Sequence, residues 1–99
     1  MTFTERIKQL REERKLPQRK VAEALDIDSA TYCKIERGDR KAKREQLYII
    51  AKLLKVDKDE LLILWLAEQV TAIVAEEKEL AGKVLKVVEK NIKNYYTKI

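Results

Sequence analysis

Apolar residues return every three or four positions along most of the chain, and no strand-length run alternates apolar with polar, so the pattern is that of an all-α protein. Phe3, Ile7 and Leu10 mark one face of a first helix, which the capping-box spacing of Thr2 and Glu5 starts at Phe3 and which runs to about Lys15. Pro17 ends it by pushing Leu16 out of the α region. Val21, Ala22 and Leu25 mark a second helix from Gln18 to Leu25. After Asp26-Ile27-Asp28, Asp28 is placed to cap a third helix from Ser29 to about Arg37, and Gly38 stops it. A polar connection precedes a fourth helix, from about Lys43 to Lys55, with Leu47, Ile50, Ala51 and Leu54 on one face. Asp57 caps a fifth helix that begins near Lys58 and reaches about Glu76, where Glu76-Glu77-Lys78-Glu79 is the expected break. The last helix starts near Leu80. Its apolar residues Ala81, Leu85, Val88, Ile92, Tyr95 and Ile99 follow steps of 4, 3, 4, 3 and 4, a heptad seam.

A chain of 99 residues holds one compact domain with a helical appendage, and 45% apolar with 39% charged residues is not a disordered composition. The single cysteine excludes an internal disulfide and suits a reducing compartment. Thr2 to Lys20 has no apolar stretch resembling a secretory signal, and the longest apolar run, Leu61 to Ala67, falls far short of the ~20 residues that span a bilayer. The expectation is a cytoplasmic protein without a membrane segment. Charge is unevenly placed: residues 1–56 carry 15 basic and 9 acidic side chains, a net +6, whereas 57–99 carry 7 and 8, a net −1. A basic head on a neutral helical tail fits polyanion binding in the first part and packing or association in the second, although a solvated basic surface gives the same balance.

Catalysis finds no support. Histidine is absent, no glycine-rich phosphate loop is present, one cysteine cannot build a zinc site, and the carboxylates lie along helix surfaces beside Lys or Arg. No enzyme activity, cofactor or metal is expected.

The informative segment is Gln18 to Gly38, QRKVAEALDIDSATYCKIERG. Two short helices joined by a brief turn need apolar residues at Val21, Leu25, Ile27, Tyr32 and Ile35 and a small residue, here Ala22, where the helices touch. Burying those turns Ser29, Ala30, Cys33, Lys34 and Arg37 outward, a small, polar and basic face that fits the major groove of B-DNA. The pattern Gln-x-x-Val-Ala-x-x-Leu-x-Ile, followed by Ile35-Glu36-Arg37-Gly38 and closed by Val56-Asp57-x-x-Glu60-Leu61-Leu62, closely resembles the lambda-repressor-like (XRE) family of helix-turn-helix regulators over roughly residues 3 to 62.

The resemblance implies a five-helix DNA-binding domain at 1–62, with 63–99 as a helical extension, and the third helix as the recognition helix. It implies base contacts from Ser29, Ala30 and Lys34, with Thr31 and Cys33 in second rank, and phosphate contacts from Gln18, Arg37 and the basic residues after Gly38. Arg11 and Glu36 match the family's interhelical ion pair. Two residues depart from the pattern. Asp26 stands where the family has a glycine, at a position that often needs φ > 0, and Pro17 replaces the Ser or Thr cap of the second helix.

The basic cluster Arg37, Arg40, Lys41, Lys43 and Arg44 reaches the start of the fourth helix, where the helix dipole disfavours cations and no residue offers a capping oxygen. A phosphate at that terminus would give the arrangement a purpose. Cys33 beside Lys34 and Arg37 has some of the setting of a redox switch, but without a resolving cysteine it reads as a small Ser-like side chain. Trp65, Tyr95 and Tyr96 read as packing aromatics rather than stacking platforms for bases. Because Leu61 to Ala67 is apolar on every side, that helix needs a second surface beyond its own core, so Leu64 and Trp65, with Leu85, Val88, Ile92 and Tyr95 of the seam, are expected to form a dimer interface. The expected partners are double-stranded DNA and a second copy of the chain. Two related readings remain open: the controller protein of a restriction-modification system, and an antitoxin whose tail grasps a toxin.

Overall fold

The computed structural model describes residues 1–97, which form six helices and, among the described residues, no strand: α1 (Phe3–Glu13), α2 (Gln18–Leu25), α3 (Ser29–Arg37), α4 (Arg44–Leu54), α5 (Lys58–Val74) and α6 (Ala81–Thr97). Two compact units result, Met1–Glu68 and the chain from Gln69 on, a division later than the boundary expected after residue 62. The reason lies in Glu68. Its Oε1 accepts from the backbone N–H of Phe3 at 2.9 Å, so α5 stays bound to α1 as far as that residue. This carboxylate joins the Thr2 hydroxyl, which accepts from Glu5 N–H at 3.2 Å, at the positive end of the α1 dipole.

In the first unit every helix turns one stripe inward. Phe3, Ile7 and Leu10 of α1 meet Val21, Ala22 and Leu25 of α2, Tyr32 and Ile35 of α3, Leu47, Ile50, Ala51 and Leu54 of α4, and Leu61 of α5. Ala42, in the connection between α3 and α4, is buried with them.

The first four helices stop in the same way. Lys15, Asp26, Gly38 and Lys55 all adopt the left-handed conformation, with φ of 54°, 57°, 85° and 57°. In each case the next residue's N–H reaches back five positions: Leu16 to Arg11, Ile27 to Ala22, Asp39 to Lys34 and Val56 to Ala51, at 2.9–3.1 Å. A non-glycine residue in this region costs about 1 kcal/mol. At three of the four stops the residue that follows, Leu16, Ile27 or Val56, packs against the core and offsets that cost. The fourth is followed by the exposed Asp39, and there the left-handed residue is glycine.

Arg11 joins α1, α3 and the connection into α2. Its Nε donates to Glu36 Oε2 at 2.9 Å, its Nη2 to Glu36 Oε1 at 2.7 Å, and its Nη1 to the Leu16 carbonyl at 2.7 Å. The two side chains are only 12% and 2% exposed. Burial alone would push the Glu36 carboxyl up, but the hydrogen bonds and charge of Arg11 outweigh it and hold it below the ordinary carboxylate value. The Tyr32 hydroxyl is buried close by, and burial drives its ionisation far above the usual range.

In the second unit, α5 ends at Val74 and a turn over 75–80 leads into α6, with Ala81 N–H on the Glu77 carbonyl at 2.8 Å. Val74 is buried, whereas no residue of α6 is. The seam residues Leu85, Val88, Ile92 and Tyr95 are all exposed, and Ile99 lies outside the described residues.

Three outcomes follow for the first unit. Glu36→Ala strands a desolvated guanidinium, which costs ~3–5 kcal/mol when burial is deep, so thermal melting should fall far more than for Glu13→Ala on the exposed side of α1; equal melting temperatures would contradict the pairing. Because the Glu36 carboxyl is depressed in the folded state, its stabilisation is complete above the unfolded carboxylate range and is lost as pH falls through the lowered value, so Glu36→Gln should flatten the acid limb of the stability curve. Lys55→Gly should hold or raise the melting temperature, since it relieves left-handed strain and leaves Val56 in place; a drop of several degrees would argue against that account.

Candidate nucleic-acid interface

The α2–α3 pair is fixed from both ends. Asp26, left-handed at the end of α2, turns the chain, and Asp28 caps α3 by accepting from Thr31 N–H at 2.6 Å, a bond that also holds its carboxyl below the ordinary value. At the far end Glu36 is clamped by Arg11. With Tyr32, Ile35 and Glu36 buried, α3 turns Ser29, Ala30, Lys34 and Arg37 to solvent, while Thr31 and Cys33 are half-buried at its edges. The exposed face is short-chained at the helix start and basic toward its end.

Gln18 opens α2 and is half-buried. Its Nε2 lies 3.4 Å from Glu36 Oε1, so the residue matched to a phosphate contact is also joined to the Arg11–Glu36 pair. Neither α2 nor α4 receives a hydrogen bond from its N-cap side chain. The residues there are Pro17, which has no acceptor, and Lys43, whose ammonium is a donor only. At α4, Gln46 Oε1 accepts from Lys43 N–H at 2.9 Å, half of a capping box, and the first-turn N–H groups stay without a side-chain acceptor.

The basic residues have distinct settings. Arg37 pairs with Asp39 at 3.0 Å, where both are exposed and the pair contributes little. Arg44 Nε donates to the Tyr48 hydroxyl at 2.7 Å, while the Lys58 ammonium lies 5.6 Å from the Tyr48 ring centroid. Lys41 sits over Trp65 at 5.2 Å, and Arg40 and Lys43 are exposed.

Leu64 and Trp65, expected at a dimer interface, pack partly buried against the core of their own unit. The large apolar residues that α5 leaves exposed are Ile63, Leu66, Val70 and Ile73. The Trp65 indole N–H donates to the Ala42 carbonyl at 3.0 Å, a link across 23 positions that helical periodicity does not encode. Glu68 on the α1 N-terminus is likewise beyond the reach of pattern reading, whereas Tyr48, four residues after Arg44, and Gln46, three after Lys43, stand at spacings that a helix brings together. Among the described residues, no group of three metal-ligating side chains comes together, and no helix is long and apolar enough to cross a membrane.

No curated protein and no solved structure matches the chain. The model of the helix-turn-helix domain family does match, over residues 4–64, a span that runs from the second residue of α1 through α4 into the first part of α5; the chain belongs to the helix-turn-helix domain family.

Proposed function

We propose that this chain is a lambda-repressor-like (XRE) transcriptional regulator of the cytoplasm, without catalytic activity, that binds an inverted-repeat operator as a homodimer with α3 of each copy in the major groove. The observation that carries the reading is the exposed face of α3. A helix anchored by Asp28 at one end and Glu36 at the other keeps in solvent Ser29 and Ala30, short enough for the backbone to approach base edges, and Lys34, a donor for guanine or phosphate. Thr31 and Cys33 border this face. Gln18, Arg37, Arg40, Lys41, Lys43 and Arg44 then meet the sugar–phosphate backbone, helped by the α2 and α4 N-termini, whose N–H groups have no side-chain cap.

A single recognition helix reads too few bases for useful specificity, and two related by symmetry double the readout. The exposed apolar residues give the second copy a place to bind. On α6 the seam Leu85, Val88, Ile92 and Tyr95 lies on the side opposite Lys83, Lys86, Lys90 and Lys93, so two such helices can meet through their apolar sides with the lysines turned away.

Selection from random duplex DNA should return a two-fold-related site with half-site centres about 10 bp apart. Lys34→Ala should change the base preferred within each half-site. Lys43→Ala should instead weaken binding to every sequence and reduce the log–log salt slope by about one unit. A selection without a motif, or an unchanged preference in Lys34→Ala, would remove α3 from its assigned role.

Dimerisation has its own measurement. The full chain should sediment as a dimer at micromolar concentration, and Val88→Lys with Ile92→Lys should give a folded monomer with much weaker operator binding. A monomeric parent chain would overturn the homodimer, and one that purifies bound to a small second protein would favour the antitoxin reading instead.

A further inference from the structure

The connection from Gly38 to Lys43 carries Arg40, Lys41 and Lys43 and has no regular secondary structure, so whatever fixes it also fixes where those charges stand. Its first half is tied to α3: the N–H groups of Asp39 and Arg40 both bond the Lys34 carbonyl, at 2.9 and 3.2 Å. Its second half is held from α5. Ala42 is buried in the core, its carbonyl accepts from Trp65 Nε1 at 3.0 Å, and the preceding residue, Lys41, lays its ammonium over the same indole at 5.2 Å. One side chain thus engages two successive residues, one through its N–H and one through its ring, immediately before the uncapped start of α4. The Ala42–Lys43 peptide is held on both sides, its N–H by Gln46 Oε1 at 2.9 Å from within α4 and its carbonyl by Trp65 from α5, and the second hold is what ties the connection to another helix.

We infer that Trp65 is a positioning residue for the phosphate contacts. Its indole fixes the Lys41–Lys43 peptides from α5, so that Lys41, Lys43 and the α4 N-terminus are already arranged when DNA arrives. The inference rests on the DNA-binding reading above and extends it to a residue that touches no DNA. Preorganisation of this kind lowers the ordering cost of binding, and its loss is felt equally by all sequences. Phenylalanine at this position keeps an aromatic ring and lacks only the donor.

Trp65→Phe in the full chain is the test, read in two arms well below the melting temperature. The first needs no DNA: trypsin should cut after Arg40 and Lys41 several-fold faster than in the parent protein, with other sites unaffected. In the second, random-sequence duplex should bind more weakly, with a salt slope smaller by about one unit and the preferred bases unchanged. Equal trypsin rates, or equal affinity and slope, would overturn the inference. A parent chain that binds no duplex would instead sink the DNA-binding reading, and the trypsin arm would still judge the anchor. Should the variant not fold, the parent protein supplies the measurement, because Trp65 is its single tryptophan. Duplex binding should shift its emission as phosphate draws on Lys41, and binding with unaltered emission would count against the inference.

Discussion

The guanidinium of Arg11 is where the first unit is held together. A buried carboxylate on α3 is tolerable only with a partner that satisfies both of its oxygens, and a fork of N–H donors does so while its remaining nitrogen holds the Leu16 carbonyl. The geometry leaves α1, α3 and the entry to α2 little freedom to move against one another. Gln18 adds a weaker third bond to the same carboxylate. An ion pair of this kind adds little net stability over an apolar substitute, but its three bonds are directional and fix how α3 faces α1. A single defined orientation of α3 is what the face formed by Ser29, Ala30 and Lys34 requires.

Above that tie the domain is a series of short helices whose ends are as determined as their middles. The left-handed stops at Lys15, Asp26 and Lys55 are stable because an apolar residue follows each of them into the core. This explains the uneven legibility of the sequence. Gly38 announced its turn by residue type, and Asp26 could be recognised as a residue that tolerates the left-handed region. The two lysines gave no local sign, since the force that holds them there is the burial of their neighbours. Helix positions were legible throughout, because a 3.6-residue period records which face is buried.

Which way α5 faces was not legible, for a related reason. Between Leu61 and Ala67 every position is apolar, so periodicity cannot separate the side that meets the core from the side that does not. The structure turns Leu61, Leu64 and Trp65 inward and leaves Ile63 and Leu66 exposed. The types of residue on the α3 face were readable from the chain, because they are what remains when Val21, Leu25, Tyr32 and Ile35 are buried. The supports of the neighbouring loop were not, since Trp65 and Ala42 are brought together only by the fold.

The exposure pattern of α3 has a consequence for how such a protein diversifies. Ser29, Ala30 and Lys34 contribute nothing to the core, so exchanging them stays within the ±0.5 kcal/mol typical of surface substitutions. Thr31 and Cys33 are half-buried at the border, where a larger side chain must find room among its neighbours. Between Ser29 and Lys34 the helix therefore offers three positions that can be rewritten almost independently of folding and two at the border that cannot. A lineage built on this scaffold can drift in its outward chemistry while its interior stays fixed, and gene duplication followed by change at three codons is a short route to a new surface.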